Sequence, residues 1–145
     1  MSSEYKRIFA SLDGTEGQID VARKAIALAA DNHADLRFGH VVDAVAGESS
    51  AVNFYDLCEN AKNLIADMLG DILESAQNNE NIPSVEIAVE AGSVIDTLDN
   101  LLIAPFDPDL VICGARGLSG IRYAFVGSVS THLIRTQKCD VLVIK

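Results

Sequence analysis

The chain has 145 residues, of which 49% are hydrophobic and only 6% aromatic, so it can bury the core of one domain with mainly aliphatic side chains. Its formal net charge of −10 argues against nucleic acid or an anionic membrane surface as a partner, because phosphate groups repel an acidic protein. The three cysteines form neither a disulfide framework nor a CxxC pair. No apolar run approaches the roughly 18 residues of a membrane span, and no signal segment follows the N-terminus. We therefore expect a cytoplasmic protein.

The first half of the chain alternates predicted strands with predicted helices. Tyr5–Leu12 is the first strand. Thr15 and Gln18 then form a capping-box pattern, in which the Thr15 hydroxyl accepts a free amide hydrogen and Gln18 reaches back, so a helix should begin there. Asp35–Val42 alternates apolar residues as a second strand, and a loop of small residues, Asp43–Ala51, follows it. The i, i+3, i+4, i+7 rhythm from Ala61 to Ala76 predicts one long amphipathic helix.

The second half continues the alternation. A strand is predicted at Ser84–Val89, followed by a helix that has Ser93 as its N-cap and runs to about Ala104, where Pro105 and Pro108 stop it. The remaining predicted elements are the strand Asp109–Cys113, the helix Ser128–Gln137 and the strand Asp140–Lys145.

Strands that alternate with helices of this length form βαβ units, and these predict a parallel α/β sheet with helices on both faces. Ligands of such sheets lie beyond the carboxyl ends of the strands, where the strand order reverses. Three segments therefore become candidates for a binding site: Ser11–Thr15, Val41–Ala44 and Gly114–Ser130.

The segment Gly114–Ser128 is a glycine-rich connection between a strand and a helix. Gly114 and Gly117 permit sharp turns and close approach of the backbone to a ligand. Gly127 and Ser128 place bare amides and a hydroxyl at a helix N-terminus, which favours phosphate, and Ser130 adds a second hydroxyl. The segment is also locally basic, since five of the chain's eleven Lys and Arg residues lie from Gly114 onward beside a single acid, Asp140. A tight structural turn with no ligand explains these residue types equally well.

Two familiar phosphate-binding motifs are absent. The loop is not GxxxxGK[ST], which argues against a Walker-type site, and no GxGxxG follows the first strand, which argues against a dinucleotide-binding fold.

The spacing of the loop is more specific than its composition. Gly114, Gly117, Gly127 and Ser128 give GxxG-x9-G[ST], which resembles the nucleotide-binding signature of the universal stress protein family. The similarity continues through Asp107–Gly114, through Cys139–Ile144 and through the opening segment Ile8–Glu16, so that it covers residues 1–145 as a single domain of this type.

The resemblance implies an open five-stranded parallel sheet of order 3-2-1-4-5, Rossmann-like, with an ATP site. In ATP-binding members of the family, the loop holds ribose and phosphates, the turn after the first strand borders the adenosine, and the end of the second strand lines the adenine pocket. The matching residues here are Ser11, Leu12, Asp13, Val41, Gly114, Arg116, Gly117, Gly127, Ser128, Val129 and Ser130. A magnesium ion would be bound mainly by the phosphates of the nucleotide, with Asp13 and Ser130 as its candidate protein ligands.

Two departures from the family pattern affect the purine side of this site. The family often has Val or Pro near Ser11 and Leu12, and Pro where this chain has Asp140.

The same sheet order would leave Val141–Ile144 at an edge. Four consecutive apolar residues at a bare edge favour pairing with another chain, so we expect a homodimer through this strand, as the resemblance also implies.

Other residues give weaker indications of chemistry. Asp13 precedes Gly14 in a strong turn dipeptide, so a turn role competes with a ligand role, and Arg116 could equally contact phosphate or solvent. His40, within a strand, is interpreted as packed or hydrogen-bonded rather than catalytic. His132 is a weaker candidate for phosphate, and Cys113 is interpreted as a small buried hydrophobe. No nucleophile–base pair stands out, so no catalytic residue is assigned.

The leading hypothesis is an ATP-binding, dimeric stress-response regulator whose nucleotide alters a surface that an unknown protein partner reads. The alternatives are a dimerisation module without nucleotide and a slow ATPase. An ATP-pyrophosphatase is disfavoured, since Ser11–Thr15 lacks the Ser-Gly-Gly loop that it requires.

Overall fold

The computed structural model describes residues 4–44, 54–115 and 127–145. Its elements alternate as the sequence predicts. They are β1 (Arg7–Ser11), α1 (Gln18–Asn32), β2 (Asp35–Asp43), α2 (Phe54–Leu69), α3 (Asp71–Gln77), β3 (Val85–Gly92), α4 (Val94–Thr97) continued by a π-helical segment (Leu98–Ile103), β4 (Leu110–Gly114), α5 (Ser128–Thr136) and β5 (Asp140–Ile144).

The five strands form one parallel sheet of order β3-β2-β1-β4-β5, which confirms the predicted fold class and strand order. The central strand β1 pairs with β2 from Arg7 opposite Asp35 to Ser11 opposite Gly39. On its other side it pairs with β4, Ile8 opposite Leu110. Because β2 and β4 flank β1 and lead to opposite edges, the strand order reverses there, and the carboxyl ends of all three lie together.

Helices cover both faces of the sheet and bury two cores. One core joins β1, through Ile8 and Ala10, to α1, α2 and α3. The second core joins Phe9 of the same strand to the π-helical segment, β4 and α5. Alternate residues of β1 face opposite sides of the sheet, and Ile8, Phe9 and Ala10 are all fully buried. The middle of this strand therefore presents apolar side chains to both cores, as expected for a central parallel strand.

The sequence predicted one long helix from Ala61 to Ala76, but the structure has two helices there, so the prediction of a single helix is wrong. The first begins earlier, at Phe54, and the chain breaks at Gly70 before the second begins at Asp71. Gly70 has φ 52° and ψ −122°, a conformation outside the helical region that glycine adopts at little steric cost. The apolar positions Ile65, Leu69 and Leu73 still face one core, because the break keeps the two helices on the same side of the sheet.

The capping box predicted at Thr15 and Gln18 is also wrong. The helix begins at Gln18 with Gly17 in the N-cap position and no side-chain cap. Gln18 does reach back, but its carboxamide oxygen accepts from the Gly14 N–H at 3.0 Å. The Thr15 hydroxyl donates to Asp13 at 2.6 Å, so it serves the turn before the helix.

The helix predicted from Ser93 has Ser93 at its N-cap, as expected, but changes from α- to π-helical geometry at Leu98. The Ala104 N–H donates to the Asp99 carbonyl at 3.0 Å, five residues back. Arg37 of β2 donates to the Leu102 carbonyl at 3.3 Å and stacks 4.6 Å from the Phe106 ring centroid, which holds this widened helix against the sheet.

The other predicted boundaries agree to within a few residues, the largest difference being β3, which extends to Gly92. Most of the predicted loop Asp43–Ala51 lies outside the described residues. Asp140, where the family often has Pro, accepts a hydrogen bond from the Tyr5 hydroxyl at 2.7 Å and thereby raises the pKa of Tyr5 to about 12. Within the described segments, no helix is both long and apolar enough to cross a membrane.

Gly39→Ala should destabilise the fold, because a Cβ at this buried position of β2 would overlap the ring of Phe9. We expect a loss of about 1–3 kcal/mol in the free energy of unfolding, measured by urea denaturation. Gly17→Ala is the control, since an added Cβ there lies 3.7 Å from the Thr15 hydroxyl, an ordinary contact. Equal stability of the two variants would contradict the packing described for β1 and β2.

Candidate functional site

A cavity of about 930 Å³ opens at the carboxyl edge of the sheet, where the strand order reverses. Its volume lies near the top of the roughly 300–1,000 Å³ typical of small-molecule sites. The β1–α1 turn, the ends of β2 and β4, the start of α5 and one side of α2 enclose it. Nine of the eleven predicted site residues line it: Ser11, Leu12, Asp13, Val41, Gly114, Gly127, Ser128, Val129 and Ser130. The other two, Arg116 and Gly117, lie outside the described residues.

The N-terminus of α5 faces this cavity. Gly127 is the N-cap, and its carbonyl accepts the first helical hydrogen bond, from the Thr131 N–H at 2.9 Å. Its own N–H is not bare, as the sequence suggested, but donates to the Ala115 carbonyl at 3.1 Å. The Ser130 hydroxyl, in a residue only 2% exposed, donates to the Gly127 carbonyl at 3.1 Å. These contacts fix the first turn of α5, whose amides and positive dipole end favour an anion at the cavity.

The turn between β1 and α1 forms the opposite wall. One carboxylate oxygen of Asp13 accepts from the Thr15 N–H at 2.9 Å and from its hydroxyl at 2.6 Å. Gly14 follows with φ 82°. The structure therefore gives Asp13 the turn role that the Asp-Gly dipeptide predicts, while its ligand role stays a prediction.

Six polar residues outside the eleven assigned ones also line the cavity: Gln18, Asp20, His40, Asp43, Asn60 and Lys145. His40, in the second half of β2, has its Nδ1 2.9 Å from the Leu12 carbonyl, which agrees with the interpretation of a hydrogen-bonded histidine. Gln18, only 1% exposed, binds the Gly14 N–H through its oxygen, and its nitrogen lies 2.7 Å from the sulfur of Met68. The failed capping box was the one sequence feature that pointed to Gln18.

The rest of the wall is largely apolar. On one face of the sheet it is formed by Leu57, Ala61 and Leu64 of α2, and on the other by Val94, Leu98 and Val129. A flat, mostly apolar ligand part such as a heterocyclic base suits this lining.

Cys113 closes part of the cavity floor and is buried. Burial raises the pKa of the Cys113 thiol to about 11, so the thiol stays protonated at neutral pH. This agrees with its interpretation as a small hydrophobe.

Magnesium bound through nucleotide phosphates needs only one or two protein oxygens, because Mg²⁺ keeps several waters. The exposed carboxylate of Asp13 at the cavity fits this need. Ser130 fits less well, since its hydroxyl is buried and donates to a carbonyl. Within the described segments, no group of three His, Cys, Asp or Glu side chains could hold a metal without such phosphates.

His132 of α5 contacts the π-helical segment. Its Nε2 lies 2.7 Å from a carboxylate oxygen of Asp99, and both side chains are more than two-thirds buried. This pair joins the helix that presents its N-terminus to the cavity to the element that packs against β2 and β3.

The family model for universal stress proteins matches residues 4–145. The chain belongs to the universal stress protein family. A Staphylococcus saprophyticus protein named as a universal stress protein is 33% identical over 141 residues, which span 97% of this chain and 84% of the relative. A relative from Staphylococcus aureus is 30% identical over the same shares of both chains.

Solved structures show the same fold. Universal stress protein UspA from Lactobacillus plantarum superposes with a TM-score of 0.77 at 21% identity, over 99% of this chain and 100% of that one. A universal stress protein solved in complex with cAMP gives a TM-score of 0.61 at 22% identity, over 98% of both chains.

The contact between His132 and Asp99 should stabilise the attachment of α5. In a double-mutant cycle with His132→Ala and Asp99→Ala, we expect a coupling free energy of about 1–2 kcal/mol, because the hydrogen bond is short and partly desolvated. The exposed pair Arg7–Asp107, tested with Arg7→Ala and Asp107→Asn, is the control and should couple by less than about 0.5 kcal/mol. Additive effects at His132 and Asp99, seen in urea unfolding, would refute the attachment.

Proposed function

We propose that this universal stress protein is a cytoplasmic, ATP-binding, dimeric regulator that holds Mg-ATP in the 930 Å³ cavity. The observation that supports this most is the placement of the α5 N-terminus opposite the β1–α1 turn, across a cavity lined by nine of the predicted site residues. The helix N-terminus that favours an anion and the apolar surface that suits a heterocyclic base thus line the same cavity.

The phosphates would lie at the first turn of α5. Ser128 is exposed there, and its hydroxyl and the amides of this turn can donate to phosphate oxygens. Gly127 has no side chain to hinder an approaching ligand, and Ala115 and Ser130 hold its backbone in place. Asp13, across the cavity, would bind the phosphate-bound magnesium directly or through water.

The adenosine would lie toward the ends of β1 and β2. Val41, Leu98 and Val129 offer apolar surface to a base on one side of the sheet. A related fold has been solved with an adenine nucleotide, since the universal stress protein with a TM-score of 0.61 carries cAMP. This favours adenine nucleotides as the ligand class.

Binding without fast catalysis fits the described side chains best. Of the ionisable groups that line the cavity, Asp13 is engaged in its turn and the Nδ1 of His40 is engaged by a carbonyl. The other charged groups in the described lining are Asp20, Asp43 and Lys145, and no contact of theirs with a nucleophile or a second base carries a catalytic assignment. We assign no general base, and slow hydrolysis remains the second candidate. A dimerisation module without nucleotide is disfavoured by the size of the cavity.

The partner surface would be the free side of β5. Among the described strands, β5 pairs with β4 alone, and its residues Val141–Ile144 are half-buried at the sheet edge. An exposed edge with this apolar content favours pairing with a second copy. We propose this edge as the homodimer interface, beside the cavity that Ile144 and Lys145 also line.

Calorimetry on nucleotide-free protein should show saturable binding of Mg-ATP. Gly127→Val should weaken binding at least about tenfold, because the added side chain obstructs the first turn of α5. Thermal unfolding checks that this variant folds, since φ −64° and ψ 169° suit valine and a Cβ would lie 3.4 Å from the Ala115 carbonyl oxygen. Ala104→Val is the control, because Ala104 is exposed and does not line the cavity, so this variant should bind Mg-ATP as the unsubstituted protein does. Absence of heat with the unsubstituted protein at millimolar Mg-ATP would refute the proposal.

Sedimentation velocity should give the mass of a dimer at micromolar concentration, because edge pairing through β5 joins two sheets into one. The measurement is a concentration series on the full chain, with and without Mg-ATP. A single monomeric species throughout would refute the β5 interface.

A further inference from the structure

The free edge of β3 and the groove beside it take no part in the proposed nucleotide site. Among the described strands, β3 pairs with β2 alone, so it forms the second edge of the sheet. A groove of about 520 Å³ lies between this strand and α2. We propose that this edge binds an extended segment of a partner protein, added as a further strand, in which apolar residues alternate with Lys or Arg. The inference does not depend on nucleotide binding.

The backbone of β3 presents hydrogen-bonding groups to its free side. The Leu36 N–H donates to the Ser84 carbonyl at 2.8 Å. The Ala44 N–H donates in the same way to the Gly92 carbonyl at 3.0 Å. Because the N–H and C=O groups of successive strand residues point to opposite sides, even-numbered residues of β3 bond toward β2 and odd-numbered ones point away from it. An added strand would find donors and acceptors there. The odd-numbered residues are Val85, Ile87, Val89 and Ala91.

The side chains of these odd-numbered residues face the groove. Ile87 and Val89 pack against the core that α2 covers, and with Phe54 and Tyr55 of α2 they line the groove. Tyr55 is 69% exposed and Phe54 is 42% exposed, which is a large aromatic surface to leave in contact with water. Every second side chain of an added strand would lie over this surface, so apolar residues suit those positions.

The opposite face of β3 is acidic. Glu86 and Glu90 lie at alternating positions on this face, and both are exposed. Glu86 contacts Arg37, whose Nε lies 2.6 Å from one of its carboxylate oxygens, so Glu90 contributes most of the negative charge. The remaining side chains of an added strand would lie beside these carboxylates, and Lys or Arg suits those positions.

The groove itself has a smaller excess of negative charge. Of the charged side chains in its described lining, Glu59 and Glu90 are acids and Lys62 is a base. Burial, and then the charges of Glu90 and Glu59, raise the pKa of the Cys58 thiol, so both carboxylates act at the groove. A basic segment would therefore be attracted to this edge, and the net charge of −10 would speed its approach.

The same charges disfavour a second copy of this chain as the occupant. An antiparallel pair of β3 strands centred on Ala88 would place Glu86 of each copy opposite Glu90 of the other. Like charges directly opposite one another destabilise a strand pair. Lys or Arg at these positions of a partner replaces the repulsion by attraction, so the edge selects a basic strand over itself.

Amide chemical shifts of ¹⁵N-labelled protein, titrated with a peptide of alternating lysine and valine as long as β3, test the inference. We expect saturable shifts that are largest at Val85, Ile87 and Val89. The same peptide with glutamate in place of lysine should bind at least about tenfold more weakly. No shifts at millimolar lysine peptide, or equal binding of the two peptides, would overturn the inference. Shifts at these residues that follow protein concentration without peptide would assign the edge to a second copy and would also overturn it.

Glu90→Lys tests the charge. This variant should bind the lysine peptide at least about threefold more weakly and the glutamate peptide more tightly, because attraction and repulsion are exchanged. Glu74→Lys makes the same change at an exposed position of α3 that does not line the groove, and it should leave the preference for the lysine peptide unchanged. Equal preference in the two variants would overturn the inference.

Val89→Pro tests the backbone. Proline lacks the N–H that points away from β2, so the pairing of β2 with β3 stays complete while the added strand loses a donor. Binding of the lysine peptide should fall at least about threefold. Thermal unfolding checks that the variant folds. A lysine peptide with N-methylated amides, used with the unsubstituted protein, covers the case in which it does not, and it should fail to bind. Undiminished binding in either experiment would overturn the inference.

Discussion

The burial of β1 on both faces is the constraint from which the rest of the molecule follows. Ile8 and Ala10 face one core and Phe9 the other, so helices must cover both sides and the strand must lie at the centre. With β2 on one side and β4 on the other, the chain leaves this centre in opposite directions. The turn after β1, the end of β2 and the start of α5 thus meet at one edge, as ligand sites of open parallel sheets require.

The walls of the resulting cavity are fixed before any ligand arrives. Around the β1–α1 turn, His40, Gln18 and Asp13 each bind a neighbouring backbone group. At the α5 side, the Ala115 carbonyl and the Ser130 hydroxyl hold Gly127. Such preorganisation lowers the entropy that a ligand must lose on binding, because few of the contacting groups still have to be ordered.

The sequence predicted the alternation of strands and helices, since its apolar periodicities are strong. The order of the strands came from the family resemblance, because local patterns do not say which strands are neighbours. The helix break at Gly70 was missed, as a single glycine costs a helix only about 1 kcal/mol and tertiary packing decides its conformation. The π-helical segment is contacted by Arg37, which is distant in sequence, and a local pattern does not show such a contact.

The lining of the candidate cavity was predictable in its loops and less so in its side chains. The family resemblance, carried by the spacing of the glycines, named Asp13 and the residues from Gly127 to Ser130, and the structure brings them to one cavity. His40 and Gln18 could not, since their roles arise from backbone groups that the fold brings to them: the Leu12 carbonyl lies 28 residues from His40. Gln18 was assigned to a cap because its spacing from Thr15 matched one, whereas its actual partner is Gly14.

The most direct test of the central claim is an amide chemical-shift titration of ¹⁵N-labelled protein with Mg-ATP. It reports on both walls of the cavity in one experiment. The account predicts that the largest shifts fall on Ser128 and Val129 of α5 and on Asp13 and Gly14 of the β1–α1 turn. Shifts confined to residues outside the cavity, such as the groove between α2 and β3 lined by Cys58 and Ile87, would contradict it.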